Sequence, residues 1–320
     1  MATSADVASH AGLSRSTVSQ VLNGREHLFS KDTIERVRAS AAELGYRPSL
    51  AGRTLARGTS DIVITLLSDV TFNPRLRQLV DTITEELAGA GLTNLIRFTG
   101  AENLLEDAIL GLKPYGVISL APLSDAQSSR LQRQGVHLVT QPEHVQTGID
   151  NAIGRLQAQH LAQSGYDTVV VALPDAAREQ RFASAREAGV HEWAAENGLR
   201  VLPTQHVSPE RGGSRAAVAA LAGRRIGVAA YNDEIAMAVL SAALHAGKSV
   251  PEHVGIIGID NSPVASAMTP TITTVDYDID FSAHGIVQIL TGAINDVENA
   301  DPVQLVSDRL KVIQGDTTPR

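Results

Sequence analysis

Apolar residues recur every three to four positions in three short segments at the start of the chain, which predicts three helices. Each segment follows a hydroxyl side chain suited to capping a helix, and two of the segments stop at a glycine. The caps are Thr3 or Ser4, Ser14 and Ser30, and the stops are Gly12 and Gly45. The predicted buried positions are Val7, Ala8, Ala11, Val18, Val21, Leu22, Ile34, Val37, Ala41 and Leu44. We therefore expect a small three-helix core.

The second of these helices carries polar side chains on the face opposite its apolar stripe. They are Arg15, Ser16, Thr17, Ser19, Gln20 and Asn23. In a helix-turn-helix, the second helix lies in the major groove of DNA, and residues near its N-terminus contact base edges. Arg15 is suited to pair with a guanine and Gln20 with an adenine. The shorter side chains of Thr17, Ser19 and Asn23 suit phosphate oxygens. The alternative is a compact helical module with a solvated polar face.

Residues 49–57, with the sequence SLAGRTLAR, have an unusual composition for a linker. A helix this short is marginal in water, and Gly52 weakens it by roughly 1 kcal/mol relative to alanine. We expect the segment to be mostly unfolded until a partner orders it. Leu55, flanked by Arg53 and Arg57, suits the minor groove, where an apolar side chain opens a base step. The alternative is a flexible tether with incidental charge.

From Asp61 onward, short apolar runs alternate with segments of helical periodicity, which predicts α/β architecture with parallel sheets. The predicted strands include IVITLLSD, TNLIRF, YGVISLAP, HLVTQ, TVVVALP, RIGVAAYND and VGIIGIDN. Two such sets predict two similar lobes, and ligands of open α/β sheets bind beyond the carboxyl ends of the strands. The residues at these ends include Ser68, Asp69, Phe72, Asn232, Asp233, Asp260 and Asn261. We interpret Asp233 as the N-cap of the next helix. Asn232 and Asp260 are either ligand contacts or parts of strand-end turns.

Charge is unevenly distributed along the 320 residues, whose formal net charge is −8. Residues 1–58 hold eight basic and five acidic side chains, so this head has a net charge of +3 and the rest of the chain has −11. Contacts with phosphate need local positive charge rather than a basic whole chain. The distribution therefore favours the head as the part that binds nucleic acid.

Several classes of protein are disfavoured by what the sequence lacks. The chain has no cysteine, which excludes disulfides and thiolate metal sites and favours a reducing compartment. No apolar run approaches the roughly 18 residues of a membrane span. The segment DYDID at 276–280 begins like a calcium loop, but Phe281 and Val287 stand where a glycine and a glutamate are needed. We expect a soluble, cytoplasmic protein with no catalytic residues, no metal site, no cofactor and no membrane partner.

The run TSADVASHAGLSRSTVSQVLNG, followed by SKDTIERVRASAAELGYRPS and LAGRTLARG, resembles the head of the lactose-repressor (LacI) family of bacterial transcription regulators. The match is collinear over three helices and a hinge. It implies three groups of contacts with DNA. They are base contacts by Arg15, Ser16 and Gln20, phosphate contacts near Thr17, Asn23 and Tyr46, and minor-groove contacts by Arg53 and Leu55.

The segment YNDEIAMAVLSAALHAGKSVPEHVGIIGIDNSPVASAMTPTITTV resembles the effector-binding core of the same family, which is similar to periplasmic sugar-binding proteins. The resemblance implies that an effector is contacted by Arg186, Asn232 and Asp260. Asp69 and Phe72, after the first strand, are further candidates. Arg75 stands where many relatives carry an aromatic residue, and it either meets an anionic ligand or is solvated.

The sequence thus predicts an all-α helix-turn-helix head joined to a two-lobed α/β core that resembles a periplasmic binding protein. The expected limits are 1–48 for the head, 49–58 for the hinge helix and 60–320 for the core, with lobe 1 over about 61–149 and 276–304 and lobe 2 over about 150–274 and 305–320. The predicted protein is a homodimeric repressor that binds a palindromic operator in double-stranded DNA. A small-molecule effector, with sugars as one candidate class, controls it. One alternative is a small-molecule receptor with a non-functional head. Another is an enzyme acting on sugars, although no paired catalytic carboxylates can be assigned.

Overall fold

The structure is a computed structural model that describes residues 2–47, 54, 58–67, 74–98, 110–121, 123–175, 179–208, 225–293 and 301–319. Four predicted site residues lie outside the described residues: Arg53, Leu55, Asp69 and Phe72. The chain packs as two compact units. Unit 1 comprises Met1–Leu66, Leu87–Ile118 and Leu123–Leu138, and unit 2 comprises Leu67–Glu86, Ser119–Pro122 and Val139–Arg320. No described helix is long and apolar enough to cross a membrane.

The head in unit 1 contains the three predicted helices. They are α1 (Ser4–Ala11), α2 (Arg15–Leu22) and α3 (Lys31–Glu43), with a short 3-10 turn at Glu26–Leu28. Thr3 is the cap of α1 and forms a reciprocal capping box with Asp6. The predicted caps Ser14 and Ser30 each accept a backbone N–H of the first turn, so both are confirmed. Val7, Val18 and Val37 are fully buried together, which fixes α2 with its polar face outward.

A four-stranded sheet follows, with the strand order β2-β1-β3-β4. The strands are β1 (Ile62–Leu67), β2 (Thr93–Phe98), β3 (Gly116–Ser119) and β4 (His137–Thr140), and the helices are α4 (Pro74–Gly89) and α5 (Asp125–Arg133). A small core of Ile64, Leu66, Val117, Leu131 and Val136 packs within unit 1. β2 lies at the edge of the sheet, and most of its side chains are exposed.

Unit 2 is built on a seven-stranded sheet with the order β11-β10-β9-β8-β5-β6, and β7 also pairs with β5. The strands are β5 (Thr168–Pro174), β6 (Arg200–Val201), β7 (Gln205–Val207), β8 (Ile226–Ala230), β9 (Val254–Ile259), β10 (Thr273–Asp276) and β11 (Lys311–Ile313). All neighbours are parallel except β10 and β11. β5, β8 and β9 are buried at every residue, which explains their continuous apolar runs.

Besides most of α4, the described part of unit 2 contains the helices α6 (Glu143–Gln163), α7 (Gln180–Asn197), α8 (Asp233–His245), α9 (Pro263–Ala267), α10 (Ile279–Thr291) and α11 (Pro302–Ser307). Helices α6 and α7 touch through two glycines. A side chain added at Gly154 would place its Cβ 2.0 Å from the carbonyl oxygen of Arg186, and one added at Gly189 would lie 2.0 Å from that of Asn151. Only glycine permits this approach, so the glycines set the distance between the two helices.

The buried side chain of Gln157 ties α6 to the sheet. Its Nε2 donates to the carbonyl oxygens of Ala230 (2.9 Å) and Gly258 (3.2 Å), near the carboxyl ends of β8 and β9. A buried amide satisfied in this way fixes the strand ends relative to the helix. The residues that follow these strands are therefore held in a defined arrangement.

The strand predictions are confirmed for β1 to β5, β8 and β9, and TNLIRF and TVVVALP match the strands residue for residue. The short strands β6, β7, β10 and β11 were not predicted. β10 contains two threonines, and β11 has only three residues, so neither shows a clear apolar run. The proposed lobe limits stay a prediction.

Candidate effector site and DNA-facing helix

Unit 2 contains a cavity of about 260 Å³. Tyr231, Asp260 and Tyr277 line it, and each directly follows a strand of the parallel sheet, namely β8, β9 and β10. Further lining residues include Gln146, Ile149, Asp150, Ile153, Glu179, Phe182, Arg186, Ser282, Ile286 and Val306. The cavity thus lies where the carboxyl ends of parallel strands place a ligand site. Its walls combine aliphatic and aromatic surface with a few polar groups, as is typical of small-molecule sites.

Arg186 is the basic member of this lining. Its Nε donates to Oδ1 of Asp150 (2.8 Å), and its Nη1 donates to the carbonyl oxygen of Tyr231. Its guanidinium carbon also lies 4.5 Å from the centroid of the Tyr231 ring. Burial acts to lower the pKa of Arg186, but Asp150, Asp260 and the other acidic groups around the guanidinium together outweigh burial, and the pKa is raised. Arg186 is therefore a permanent cation with a fixed orientation.

Asp150 and Glu179 accept further hydrogen bonds beside Arg186. Asp150 is 1% exposed, and its second carboxylate oxygen accepts from Nε2 of Gln146 (2.8 Å). The hydroxyl of Tyr231 donates to Oε2 of Glu179 (2.8 Å). Burial, reinforced by Glu179, raises the pKa of the Tyr231 phenol. Tyr231 therefore stays protonated and is a hydrogen-bond donor at physiological pH.

Asp260 lies deep at the end of β9 with a φ of 111°, a backbone conformation that aspartate tolerates better than most residues. Burial raises its pKa to about 7, although the Arg186 guanidinium acts against this rise. The neighbouring Asp233 accepts from the N–H of Ser262 (2.7 Å) and the hydroxyl of Thr274 (2.7 Å). Burial raises the pKa of Asp233 to about 6.

The raised pKa of Asp260 makes the stability of the protein depend on pH. Between about pH 4 and pH 7, the folded state keeps a proton on Asp260 that the unfolded chain releases. The stability that this proton gives the folded state is complete below about pH 4 and is lost as pH rises through about 7. We expect Asp260→Asn to remove this loss of stability at high pH, because asparagine does not ionise. Its Tm should exceed that of the native protein by roughly 3 °C or more at pH 8 and by much less at pH 4.5.

The measurement is thermal unfolding of both proteins across this pH range. Asp280→Asn, which changes an exposed carboxylate in α10, is the control and should show no such trend. A Tm difference for Asp260→Asn that is the same at all pH values would contradict the assignment.

The structure corrects one prediction at the end of β8. The N-cap of α8 is Asn232, whose Oδ1 accepts from the N–H of Ile235 (2.9 Å), so the prediction that Asp233 is the cap is wrong. Asp233 is instead the first residue of the helix and bonds to Ser262 and Thr274. Asn232 is buried and does not line the cavity. Its role toward an effector stays a prediction.

Arg75 is neither solvated nor part of the cavity wall. It is 8% exposed, and its guanidinium donates to the carboxylate of Asp276 and to the carbonyl oxygen of Tyr277. The predicted effector residues therefore separate in the structure. Arg186 and Asp260 line the cavity, whereas Arg75 and Asn232 are buried and are not part of its lining.

Several cavity residues with polar or aromatic side chains were not among the sequence candidates, and they include Tyr231, Glu179 and Tyr277. Tyr231 lies inside the predicted strand RIGVAAYND, whereas the strand ends at Ala230, so its place at the carboxyl end of the strand was not recognised. Tyr277 follows β10, which was not recognised as a strand. Glu179 precedes α7 and has no signal of its own in the sequence.

In the head, the first turns of α2 bring Arg15, Ser16 and Gln20 together on one surface. Arg15 and Ser16 are exposed, and Gln20 donates from Nε2 to the hydroxyl of Ser16 (3.0 Å). Nε of Arg15 donates to the hydroxyl of Ser4 (3.2 Å) in α1. This surface offers one long cation, one amide and one hydroxyl, which match the groups that read base edges.

The residues predicted to contact phosphate make contacts within the head. The hydroxyl of Thr17 bonds to that of Ser14 (2.8 Å), and Nδ2 of Asn23 donates to the carbonyl oxygen of Ser19 (2.6 Å). Tyr46 is half-buried against the apolar core of the head. These three side chains are held by the head itself, and their contacts with phosphate stay predictions.

Comparison with known proteins gives independent matches to both parts of the chain. The family described as bacterial regulatory proteins, lacI family, matches residues 3–49. The periplasmic binding protein-like domain matches residues 158–318. The two matches fall on the helical head and on the part of the chain that forms the seven-stranded sheet.

Relatives extend over most of the chain. The HTH-type transcriptional regulator GalS of Salmonella typhimurium is 30% identical over 299 residues, covering 87% of this chain and 86% of that protein. The ribose operon repressor of Bacillus subtilis is 31% identical over 290 residues, covering 86% of each chain. A solved lac repressor dimer, bound to operator and the anti-inducer ONPF, has the same fold, with a TM-score of 0.76, 21% identity and 99% coverage of both chains. This chain therefore belongs to the lacI family of bacterial regulatory proteins and is a DNA-binding transcriptional regulator with an effector-binding core.

Proposed function

We propose that the protein is a homodimeric repressor that binds a palindromic operator through Arg15, Ser16 and Gln20 and is controlled by a neutral, sugar-type effector in the cavity of unit 2. The observation that carries the proposal is the cavity itself, in which a guanidinium, Arg186, is fixed by Asp150 and shares the lining with Asp260, the residue that follows β9. A transcriptional regulator with such a cavity has the two distinct sites that allosteric control requires.

The proposal for DNA rests on the exposed surface of α2. Arg15 can donate two hydrogen bonds to O6 and N7 of a guanine, and Gln20 can pair with an adenine once its bond to Ser16 is released. The +3 charge of the head supplies attraction to phosphate, while the −11 charge of the remainder keeps other surfaces away from DNA.

The proposal for a homodimer rests on the edge strand β2. Its side chains Leu95, Ile96 and Phe98 are exposed. An apolar edge strand of this kind favours association with a second copy of the chain. A two-fold symmetric dimer presents two copies of α2, so its operator should have matching half-sites. The lac repressor structure that shares this fold is described as a dimer bound to operator.

The proposal for the effector rests on the charges of the cavity. Its described lining holds three carboxyl groups, on Asp150, Glu179 and Asp260, and one guanidinium, on Arg186. An anionic ligand would meet an excess of negative charge, whereas hydroxyl groups can donate to these carboxylates and accept from Arg186. Phe182 and Tyr277 add flat surface for the apolar face of a sugar ring. Relatives include ribose operon repressors, and solved neighbours include complexes with ribose and cellobiose.

Two properties follow from the same proposal. Because the relatives found are transcriptional regulators, we propose that the chain catalyses no reaction. Because its proposed target is chromosomal DNA, we place it in the cytoplasm.

The alternative receptor with an inactive head would bind the same ligands but would show no preference among DNA sequences.

Selection of DNA fragments from a random library by the full-length protein tests the proposal. We expect enriched sequences to be palindromic and to lose most of their affinity when one half-site is scrambled. A thermal-shift assay with D-ribose, cellobiose and ribose 5-phosphate tests the effector class, and a neutral sugar should raise the Tm while the phosphate should not. The repressor proposal fails if no sequence is preferred over scrambled DNA at moderate salt.

Arg15→Ala is expected to lower affinity for the selected operator about 10- to 100-fold, because a bidentate contact with a base is lost. Affinity for scrambled DNA should fall much less, and the two affinities can be compared by fluorescence anisotropy at fixed salt. Arg25→Ala removes the same charge from an exposed position of the head outside α2 and is the matched control. Equal losses on both kinds of DNA for Arg15→Ala would assign Arg15 to phosphate instead.

A further inference from the structure

Two arginine–tyrosine pairs of the same construction flank the effector cavity. In the inner pair, Arg186 lies over the ring of Tyr231 and donates to the carbonyl oxygen of the same tyrosine. In the outer pair, Arg75 lies 4.7 Å from the centroid of the Tyr277 ring and also donates to the carbonyl oxygen of that tyrosine. Each tyrosine directly follows a parallel strand, and each arginine is also paired with an aspartate.

The outer pair is held from several directions. Arg75 is the second residue of α4, and its Nη2 donates to the carboxylate of Asp276, the last residue of β10. Its Nη1 donates to Oε1 of Gln78 (3.1 Å), one turn further along α4. The guanidinium thus contacts the side chain of one residue and both the backbone and the ring of the next. Few arrangements of Tyr277 satisfy all of these contacts at once.

The two pairs differ in which of their residues line the cavity. Arg186 and Tyr231 both line it, whereas of the outer pair only Tyr277 does. Nε of Arg75 is buried without a hydrogen-bond partner among the described residues. An apolar residue would avoid the cost of that unsatisfied donor. Core packing alone therefore does not explain the arginine, and apart from the bond to Gln78 the contacts given above lie at the strand end that carries Tyr277.

We propose that Arg75 is a positioning residue of the effector site, which fixes the ring of Tyr277 as a wall of the cavity. The inference rests on the proposed effector function, and it resolves the two roles that the sequence left open for Arg75. The residue is not solvated. It does not receive an anionic ligand either, because an anion would have to displace Asp276 from it. Arg75 acts on the effector only through Tyr277.

The first arm of the test needs no ligand. The chain has five tyrosines, so incorporation of 3-fluorotyrosine gives five ¹⁹F resonances that single Tyr→Phe changes can assign. We expect Arg75→Met to shift and narrow the Tyr277 resonance, because the ring gains mobility. Arg75→Lys keeps the charge near Asp276 but cannot lie flat on the ring, so it should produce a similar change. Arg77→Met, which removes an exposed arginine of the same helix, is the matched control and should leave this resonance unchanged.

The second arm measures binding of D-ribose and cellobiose by calorimetry. For whichever sugar binds the native protein, Arg75→Met should weaken binding about tenfold, as expected for the loss of an ordered aromatic wall. In a protein that already carries Tyr277→Leu, Arg75→Met should cause no further loss, because Arg75 acts through that ring. A further tenfold loss in the double variant would overturn the proposal.

The two arms separate the failure of this inference from the failure of the proposed function. A Tyr277 resonance that is unchanged in both Arg75→Met and Arg75→Lys overturns the positioning role, whatever the protein binds. If neither sugar binds but the resonance changes, the sugar-type effector is wrong and the positioning of Tyr277 stands.

Discussion

Arg186→Ala is expected to abolish binding of the effector and to lower the free energy of unfolding by roughly 3–5 kcal/mol. The reason is that Asp150, which is 1% exposed, would keep a buried carboxylate without its cation. The variant also removes the only guanidinium among the described residues of the cavity lining. Denaturant unfolding gives the first effect, and titration with the sugar that stabilises the native protein gives the second.

A companion variant separates these two effects. Arg186→Gln combined with Asp150→Asn replaces a buried ion pair with two amides that can bond to each other, so most of the stability should return. Effector binding should not return, because an amide cannot replace the fixed cation. Arg155→Ala, which breaks a partly exposed pair with Glu196 on the same two helices, is the control and should cost less than about 1 kcal/mol. Native-like stability of Arg186→Ala would show that Asp150 does not depend on its partner.

Gly154→Ala is expected to lower the free energy of unfolding by about 3 kcal/mol, an unusually large cost for the addition of one methyl group. The new Cβ would lie 2.0 Å from the carbonyl oxygen of Arg186, a backbone atom that cannot move aside alone. Helices α6 and α7 must separate, and the backbone that carries Arg186 must move with them. We therefore also expect weaker effector binding, measured by the same titration.

Gly285→Ala is the matched control for this prediction. Gly285 lies inside α10, and a side chain added there meets no atom within 4 Å. Because alanine favours a helix over glycine, the change should stabilise the protein by roughly 0.5–1 kcal/mol. If Gly154→Ala proved as harmless as Gly285→Ala, the close contact between α6 and α7 would be wrong.

The local features of the fold were predictable because they depend on neighbours in the sequence. A hydroxyl side chain at positions 14 and 30 caps a helix through a bond to a residue three positions later. The strand TVVVALP is recognisable because a strand buried on both faces needs an unbroken apolar run. The sequence did not show that Asn232, rather than Asp233, is the N-cap of α8, since both residue types cap helices well. The position at which β8 ends decides which of them stands before the first turn.

The candidate site was predictable only in part, for a related reason. Arg186 and Asp260 were found through the resemblance to a family, whereas Tyr231 was missed because the predicted strand extended past Ala230. The contacts of Arg186 and Arg75 join positions 36, 45 and 201 residues apart in the chain. No periodicity or motif encodes such pairs, because they depend on how the strands are ordered in the sheet.

By itself, the sequence determined the three-helix head, the alternation of strands and helices, and the polar face of α2, since each depends on spacing and on residue type. Only the tertiary structure decided which charges are buried and which partners they have. It paired Arg186 with Asp150 and placed Arg75 over the ring of Tyr277. It also raised the pKa of Asp260 by removing the carboxyl group from water. The physical reason is that burial and pairing are set by residues brought together from distant parts of the chain, whereas capping and periodicity are set within a few residues.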